Sequence, residues 1–170
     1  GFLTLDTSYT EGYKDITSTK TNGSRNHVFA DFYYNLNNDS SYESQLALKV
    51  QRTSNDTYFR IHDIDTKLVN SETTNLTNKL SYNLKKDNMF LDISGTVYEN
   101  LRESKNSKKY EYILPNILYG KSFFSENFGF VNFKSNAYHK NYEVNKQTTF
   151  LINDVIWNPK SHITKKGFVN

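Results

Sequence analysis

The chain has no cysteine, so disulfides and thiolate metal sites are excluded from it. It has no apolar run near the roughly 18 residues that a membrane-crossing helix needs. A charged-then-apolar leader is missing too, and the chain opens at Gly1-Phe2-Leu3 rather than at a methionine. Its last residues, Gly167-Phe168-Val169-Asn170, read like the start of an element. Together these features predict that residues 1–170 are one segment cut from a longer chain. Helical spacing is missing as well: no stretch keeps apolar residues at i, i+3, i+4 and i+7 for three turns. The net charge of +3 and pI near 8.9 are mild. The lysines fall as pairs (Lys85-Lys86, Lys108-Lys109, Lys165-Lys166) rather than as a basic stripe, so no nucleic-acid partner is expected.

Familiar chemical motifs fail on inspection. Gly120-Lys121-Ser122 ends like a phosphate-binding loop, but that loop needs a glycine five residues earlier, where Pro115 stands, and no helix follows. His27, His62, His139 and His162 are scattered with no pair at ligand spacing, so each is expected on a surface or polar face. No metal or cofactor site is therefore expected. There is no Gly-x-Ser-x-Gly elbow to anchor a hydrolase triad, and no catalytic residue is assigned. A Ser-His pair formed across strands is the one arrangement this leaves open. Four Asn-x-Ser/Thr sequons, at Asn22, Asn38, Asn55 and Asn75, are what chance supplies in a chain this rich in Asn, Ser and Thr.

What the chain has in quantity is aromatic residues, 15% of it, with 13 Tyr and 12 Phe, which argues against disorder. It also has alternation of period two. Val28, Ala30, Phe32, Tyr34 and Leu36 share one face, against His27, Phe29, Asp31, Tyr33 and Asn35. Leu46, Leu48 and Val50 oppose Ala47, Lys49 and Gln51. Leu76, Leu80, Tyr82 and Leu84 oppose Thr77, Lys79, Ser81 and Asn83, while Met89, Leu91, Ile93 and Val97 oppose Asp92, Ser94 and Thr96. Polar turns such as Asn37-Asn38-Asp39-Ser40 and Lys85-Lys86-Asp87-Asn88 separate them. Longer links fall at Glu11 to Arg25 and Arg102 to Lys108. The pattern predicts an all-β antiparallel up-and-down meander of roughly ten strands, each about 9 to 13 residues, in a single unit over 1–170. Ordinary strands average about 5 to 6 residues, whereas a tilted strand crossing a bilayer needs about 9 to 11. The segment therefore reads as part of a transmembrane β-barrel, with Tyr82, Tyr98, Tyr110 and Tyr138 expected in its aromatic girdles. A soluble β-sandwich alternates in the same way.

Two stretches depart from plain alternation. In "KYEYILPNILYG", Pro115 breaks a strand and cannot donate a ladder hydrogen bond, so a bulge, an edge or a bend is expected there. "SNDTYFRIHDID" packs Asp56, Arg60, His62, Asp63 and Asp65 around aromatic and aliphatic residues. The expectation is that Arg52-Thr53 close one strand, Ser54-Asn55-Asp56 make the turn, and Thr57-Tyr58-Phe59 open the next.

This second stretch resembles the Ser-Asp-x-x-Tyr segment of the outer-membrane lipopolysaccharide-assembly family (LptD, the organic solvent tolerance proteins), in the middle part of its barrel. "YENL" at Tyr98 to Leu101 and "YEYILPNI" at Tyr110 to Ile117 look like the same family's Tyr-x-x-x-Pro segment. The texture of "GFVNFKSNAYHKNYEVNKQTTFLINDVIW" is similar to alphaproteobacterial versions from AT-rich genomes. The motif positions are Ser54, Asn55, Asp56, Tyr58, Tyr110 and Pro115, and Asn55 stands where the family commonly has Asp. The resemblance implies a location in the cell outer membrane and a non-enzymatic wall segment of a very large barrel, which inserts lipopolysaccharide into the outer leaflet. Its implied partners are lipopolysaccharide, an LptE-type plug lipoprotein and a periplasmic transport bridge. Another porin or transporter barrel, or a soluble β-sandwich adhesin or glycan-binding module, are the alternatives.

Overall fold

The computed structural model describes residues 1–10, 25–37, 41–103, 106–142, 146–164 and 167–169. Eight long antiparallel strands form one sheet in chain order: β1 (Phe2–Thr10), β2 (Arg25–Asn37), β3 (Glu43–Thr53), β4 (Asn75–Lys86), β5 (Met89–Asn100), β6 (Tyr110–Ser125), β7 (Gly129–Tyr142) and β8 (Gln147–Asn158). The edges are β1 and β8, and the sheet does not close on itself. A separate pair, β9 (His162–Thr164) and β10 (Gly167–Val169), places an element where the C-terminal residues predict one. The all-β meander is as the alternation predicts. Two of the ten strands are only 3 residues long, while β6 and β7 reach 16 and 14. Two short helices, α1 (Tyr58–His62) and α2 (Asn106–Lys109), lie in the connections.

Directly paired residues on antiparallel strands share a face, so the register sorts the side chains. One row runs Tyr34, Leu46, Tyr82, Ile93, Ile117, Ala137, Leu151 across seven strands. The neighbouring row on the opposite face runs Tyr33, Ala47, Ser81, Ser94, Asn116, Tyr138, Phe150. Val28, Ala30, Phe32, Tyr34, Leu80, Tyr82, Leu91 and Ile93 thus fall together, with Asp31, Lys79, Asp92 and Ser94 behind them, as expected. In the middle of the sheet exposure is inverted relative to a sheet folded in water, while at its edges Phe2 and Phe150 on the polar face stand open as well. Leu3, Leu80 and Leu151 are 59%, 54% and 68% exposed, while Ser81, Ser94 and Thr96 are buried.

The girdle expectation needs correction. Tyr82 lies in the middle of the apolar face, and Tyr98 and Tyr138 lie on the polar face beside Thr77 and Asn116, while Tyr110 does stand at a strand end, opening β6 opposite Glu99. Alternation places a residue on a face but says nothing of its height, which the register sets. The aromatic residues on the apolar face near the short-turn end are instead Phe123, Phe133 and Trp157. Trp157 is exposed and its indole N–H donates to the Phe128 carbonyl (2.7 Å), an amphipathic placement suited to an interface.

The connections differ by end. At one end the links are short: 38–42, 87–88 and 126–128. Gly129 closes the last of these at φ +83°, a conformation that favours glycine. At the other end the links 11–24, 54–74 and 101–109 are longer, while 143–146 is as short as those opposite. The Glu11 to Arg25 link lies outside the described residues except for Arg25, which opens β2, and the Arg102 to Lys108 link overlaps α2, which runs on to Lys109.

Pro115 sits in an interior strand, so the edge reading of it is overturned and the bulge reading holds. On both sides of β6 the register slips between Ile113 and Asn116, leaving Leu114 and Pro115 out of the ladders. The missing N–H of proline therefore falls where no ladder bond is required. The Leu114 side chain fills the notch at Gly95, where an added Cβ would come within 2.4 Å of Leu114 Cδ2.

Candidate functional site: a capped rim on the polar face

The β3–β4 ladder stops at Lys49–Lys79, and beyond it the strands part. Side chains then take over from backbone pairing. Asn78 Oδ1 accepts from the Gln51 N–H (2.9 Å), Gln51 Oε1 accepts from the Thr77 N–H (2.8 Å), and Asn78 Nδ2 donates to the Gln51 carbonyl (3.1 Å). Residues 54–74 fold over this opening and against the polar face of β1–β3.

The expectation that Thr57-Tyr58-Phe59 open a strand is overturned: these residues lead into α1, and β4 begins only at Asn75. The cause is local. Asn55 Oδ1 accepts from the Thr57 N–H (2.9 Å) and hydroxyl (2.8 Å), and the Tyr58 N–H donates to the Asn55 carbonyl (3.1 Å). This Asx-type turn curls the chain where extension is expected. Asp63, at φ 46°, ends the helix. Arg52-Thr53 do close β3, and Ser54 follows in the turn, exchanging bonds with Asn26: its N–H donates to the Asn26 carbonyl (2.9 Å) and its Oγ accepts from the Asn26 N–H (2.9 Å).

The cap is seated in three ways. First, Phe29, Phe59, Val69, Leu76 and Leu101 form a buried cluster, with the Phe29 and Phe59 rings stacked 5.5 Å apart. Fully burying a side chain such as Phe59 stabilises by about 1.5–3 kcal/mol. Leu76 is expected beside Leu80 on the apolar face, yet it is fully buried here because β4 has left β3 at this height.

Second, Tyr58 is buried and its hydroxyl bonds Ser8 Oγ and reaches His27 Nδ1 (3.3 Å). His27 Nδ1 also lies 2.8 Å from Ser8 Oγ, and its Nε2 lies 3.3 Å from Asp6 Oδ1. Ser8 pairs directly with His27 across the β1–β2 ladder.

Third, Lys109 Nζ donates to Asp56 Oδ1 (2.7 Å) and pairs with Glu99 Oε1 (3.2 Å), and the Tyr110 hydroxyl donates to Glu99 (3.2 Å). Burial alone would lower the Lys109 pKa, but the two carboxylates outweigh it and hold the ammonium above its ordinary 10.5.

Of the motif positions, Ser54, Asn55, Asp56 and Tyr58 therefore build one rim, Tyr110 joins it through Glu99, and Pro115 stands apart in the β6 bulge. Sequence reasoning misses Asp6, Ser8 and Lys109. Only the register that sets Ser8 opposite His27 brings the first two in, and a Ser-His pair across strands is the arrangement the sequence leaves open. Serine, imidazole and carboxylate in a row are the parts of an acyl-transfer set. Here Tyr58 holds the serine hydroxyl, and His27, 3% exposed, is stacked on Phe29 at 4.4 Å. The arrangement fixes the cap onto the sheet. His27 lies on the polar face, as expected of the histidines, but it is buried because the cap covers that face there. His62 packs on Tyr58 (4.8 Å) and His139 bonds Thr149 (2.8 Å).

Two clefts flank these features. One of about 530 Å³ beside the cap is lined by Asp56, Phe59, Asp63, Glu72, Leu101 and Arg102. Another of about 830 Å³ near the short-turn end is lined by Lys85, Phe90, Gly120, Lys134 and Asp154 among others. Among the described residues no group of His, Asp or Glu side chains could hold a metal ion. Compared with protein-family models, curated proteins and solved structures, the chain matches none.

Proposed function

We propose that this chain is a stretch of wall in a large outer-membrane β-barrel and that the barrel works in lipopolysaccharide transport and insertion, with no catalytic step assigned to the wall. The observation that carries the wall reading is the inverted sheet: long strands with large apolar side chains exposed on one face and small polar ones sheltered on the other. Lipid is the medium in which such a face is stable. Strands of 9 to 16 residues meet the length a tilted crossing needs. Long links at one end and short ones at the other are the usual asymmetry of outer-membrane barrels, with the long links extracellular. In a soluble sandwich the apolar face would be covered by a second sheet, and here Leu3, Leu80 and Leu151 stand open. The lipopolysaccharide role, with an LptE-type plug and a periplasmic bridge as partners, rests on the sequence resemblance.

The wall reading is tested by single-cysteine labelling, since residues 1–170 contain no cysteine. In outer-membrane vesicles, Leu80→Cys and Leu151→Cys should react with a lipid-restricted probe, and Lys79→Cys and Asp92→Cys with an aqueous one. The reverse pattern would discard the wall. The transport role is tested by depletion: loss of the protein should leave newly made lipopolysaccharide inaccessible to surface digestion, and normal surface delivery would refute that role.

A further inference from the structure

We infer that residues 54–74 are a built-in constriction: a cap folded inward that narrows the lumen of the barrel near its long-link mouth. The inference rests on the wall reading, because a polar face becomes a lumen only if the sheet belongs to a closed barrel. Its own support is the position and seating of the segment. Links at this end could stand clear of the sheet, yet this one lies on the polar side, where it leaves His27, Phe29 and Gln51 3%, 0% and 5% exposed.

The attachment points lie far apart in the wall. Tyr58 is tied to Ser8 of β1 and His27 of β2, the Leu68 carbonyl accepts from Gln51 Nε2 of β3 (3.3 Å), and Asp56 is held by Lys109 ahead of β6. A loop that merely linked β3 to β4 would need none of these. Anchors on β1, β2, β3 and the β5–β6 link hold the segment across the polar face. Tyr58 and Phe59, at 1% and 2% exposure, are buried as core residues are, so the constriction is fixed in place. It would narrow the lumen beside β1–β3, leaving passage along β6–β8, where Asn116, Lys134 and Asn136 line the same face.

The test uses the intact parent barrel in planar bilayers, alongside aqueous maleimide labelling of Gln51→Cys beneath the cap. Gln51→Cys itself removes one anchor, so it is the common background of the comparison: with Tyr58 and Phe59 in place, conductance should be low and the thiol should react slowly. Adding Tyr58→Ala with Phe59→Ala should speed labelling by at least tenfold and raise single-channel conductance severalfold. Tyr58→Phe, which keeps the ring and removes only the hydroxyl, gives a smaller rise in both and serves if the double variant fails to assemble. Faster labelling with unchanged conductance would overturn the constriction while leaving the wall intact. If Leu80→Cys in the same barrel reacts with the aqueous reagent and not with a lipid-restricted one, the wall reading falls, and the constriction with it.

Discussion

The two ends of the sheet are built by opposite rules. At the short-turn end, β4 and β5 meet across residues 87–88, and Lys86–Met89 and Lys85–Phe90 continue the ladder to the last residue. The two strands pair up to the turn itself, and β6 adds only its regular neighbour contacts, with the Ser122 N–H donating to the Asn88 carbonyl (2.8 Å). At the long-link end the β3–β4 ladder fails early, and what holds the chain there comes from afar: Ser8 reaches Tyr58, 50 residues on, and Asp56 reaches Lys109, 53 residues on. One end is an extended wall whose stability is shared along its strands. The other is a small packed structure with its own buried cluster, so a single substitution should act locally on the cap and in a distributed way on the wall.

The largest effect should come from emptying the cap. Phe59→Ala removes a buried ring and should destabilise the seated cap by about 3–5 kcal/mol. Hydrogen exchange should then accelerate in 54–74 by more than a hundredfold, with exchange across β6–β8 unchanged. Matching acceleration in both would mean that rim and wall are one cooperative unit, and the contrast would be lost.

Next comes the wall. Leu80→Arg puts a charge in the middle of β4 on the apolar face. It should lower barrel stability by about 2–4 kcal/mol if that face meets lipid near the midplane. The unfolding midpoint in urea, measured in vesicles, should fall for Leu80→Arg and hardly move for Lys79→Arg one residue away. Equal effects would mean that the two faces see the same medium.

A subtler break lies at the short-turn end. The Phe90 ring covers Gly120 on the adjacent strand, and a Cβ added there would come within 2.1 Å of Phe90 Cε1. An aromatic residue laid over a strand glycine shields bare backbone and pins register. Gly120→Ala should push the ring away and cost about 1–3 kcal/mol. Gly120→Ala combined with Phe90→Leu should recover part of it, and no recovery would mean that the ring is not what the methyl displaces.

The same division explains how much could be read in advance. The sheet was legible because alternation of period two carries the whole message: Leu80 on one face and Lys79 on the other follow from the pattern, and the register agrees. The bulge at Pro115 was legible because proline lacks a donor. The rim was not. Thr57, Tyr58 and Phe59 have strong strand preference, and only the Asn55 side chain turns them into α1. His27 reads as one more polar-face residue until Ser8 stands opposite and Tyr58 closes over it. Leu76 keeps the parity of Leu80 yet is buried, because parity says nothing once a strand leaves its neighbour. Pairings across 50 residues have no periodic signature.

The smallest expected effect separates ionic from apolar seating of the cap. Lys109 lies between Asp56 and Glu99, with 14%, 39% and 16% of the respective side chains exposed. A partly open pair of this kind contributes on the order of 1 kcal/mol or less. Because the folded cap holds the Lys109 pKa above its ordinary 10.5, folding favours the proton, so this contribution is fully present below the unfolded value. It must fade as pH rises through the folded one. Labelling of Gln51→Cys under the cap, corrected for the ionisation of the thiol by an exposed control such as Glu72→Cys, should therefore stay flat through neutral pH and rise a few-fold only above about pH 10.5, the ordinary lysine value. Lys109→Met should show the faster rate at every pH and lose the alkaline rise. If the rise persists in Lys109→Met, another group loosens the cap in alkali. If the rate in Lys109→Met matches that of the native cap at neutral pH, the ion pair holds nothing and the aromatic cluster seats the cap alone.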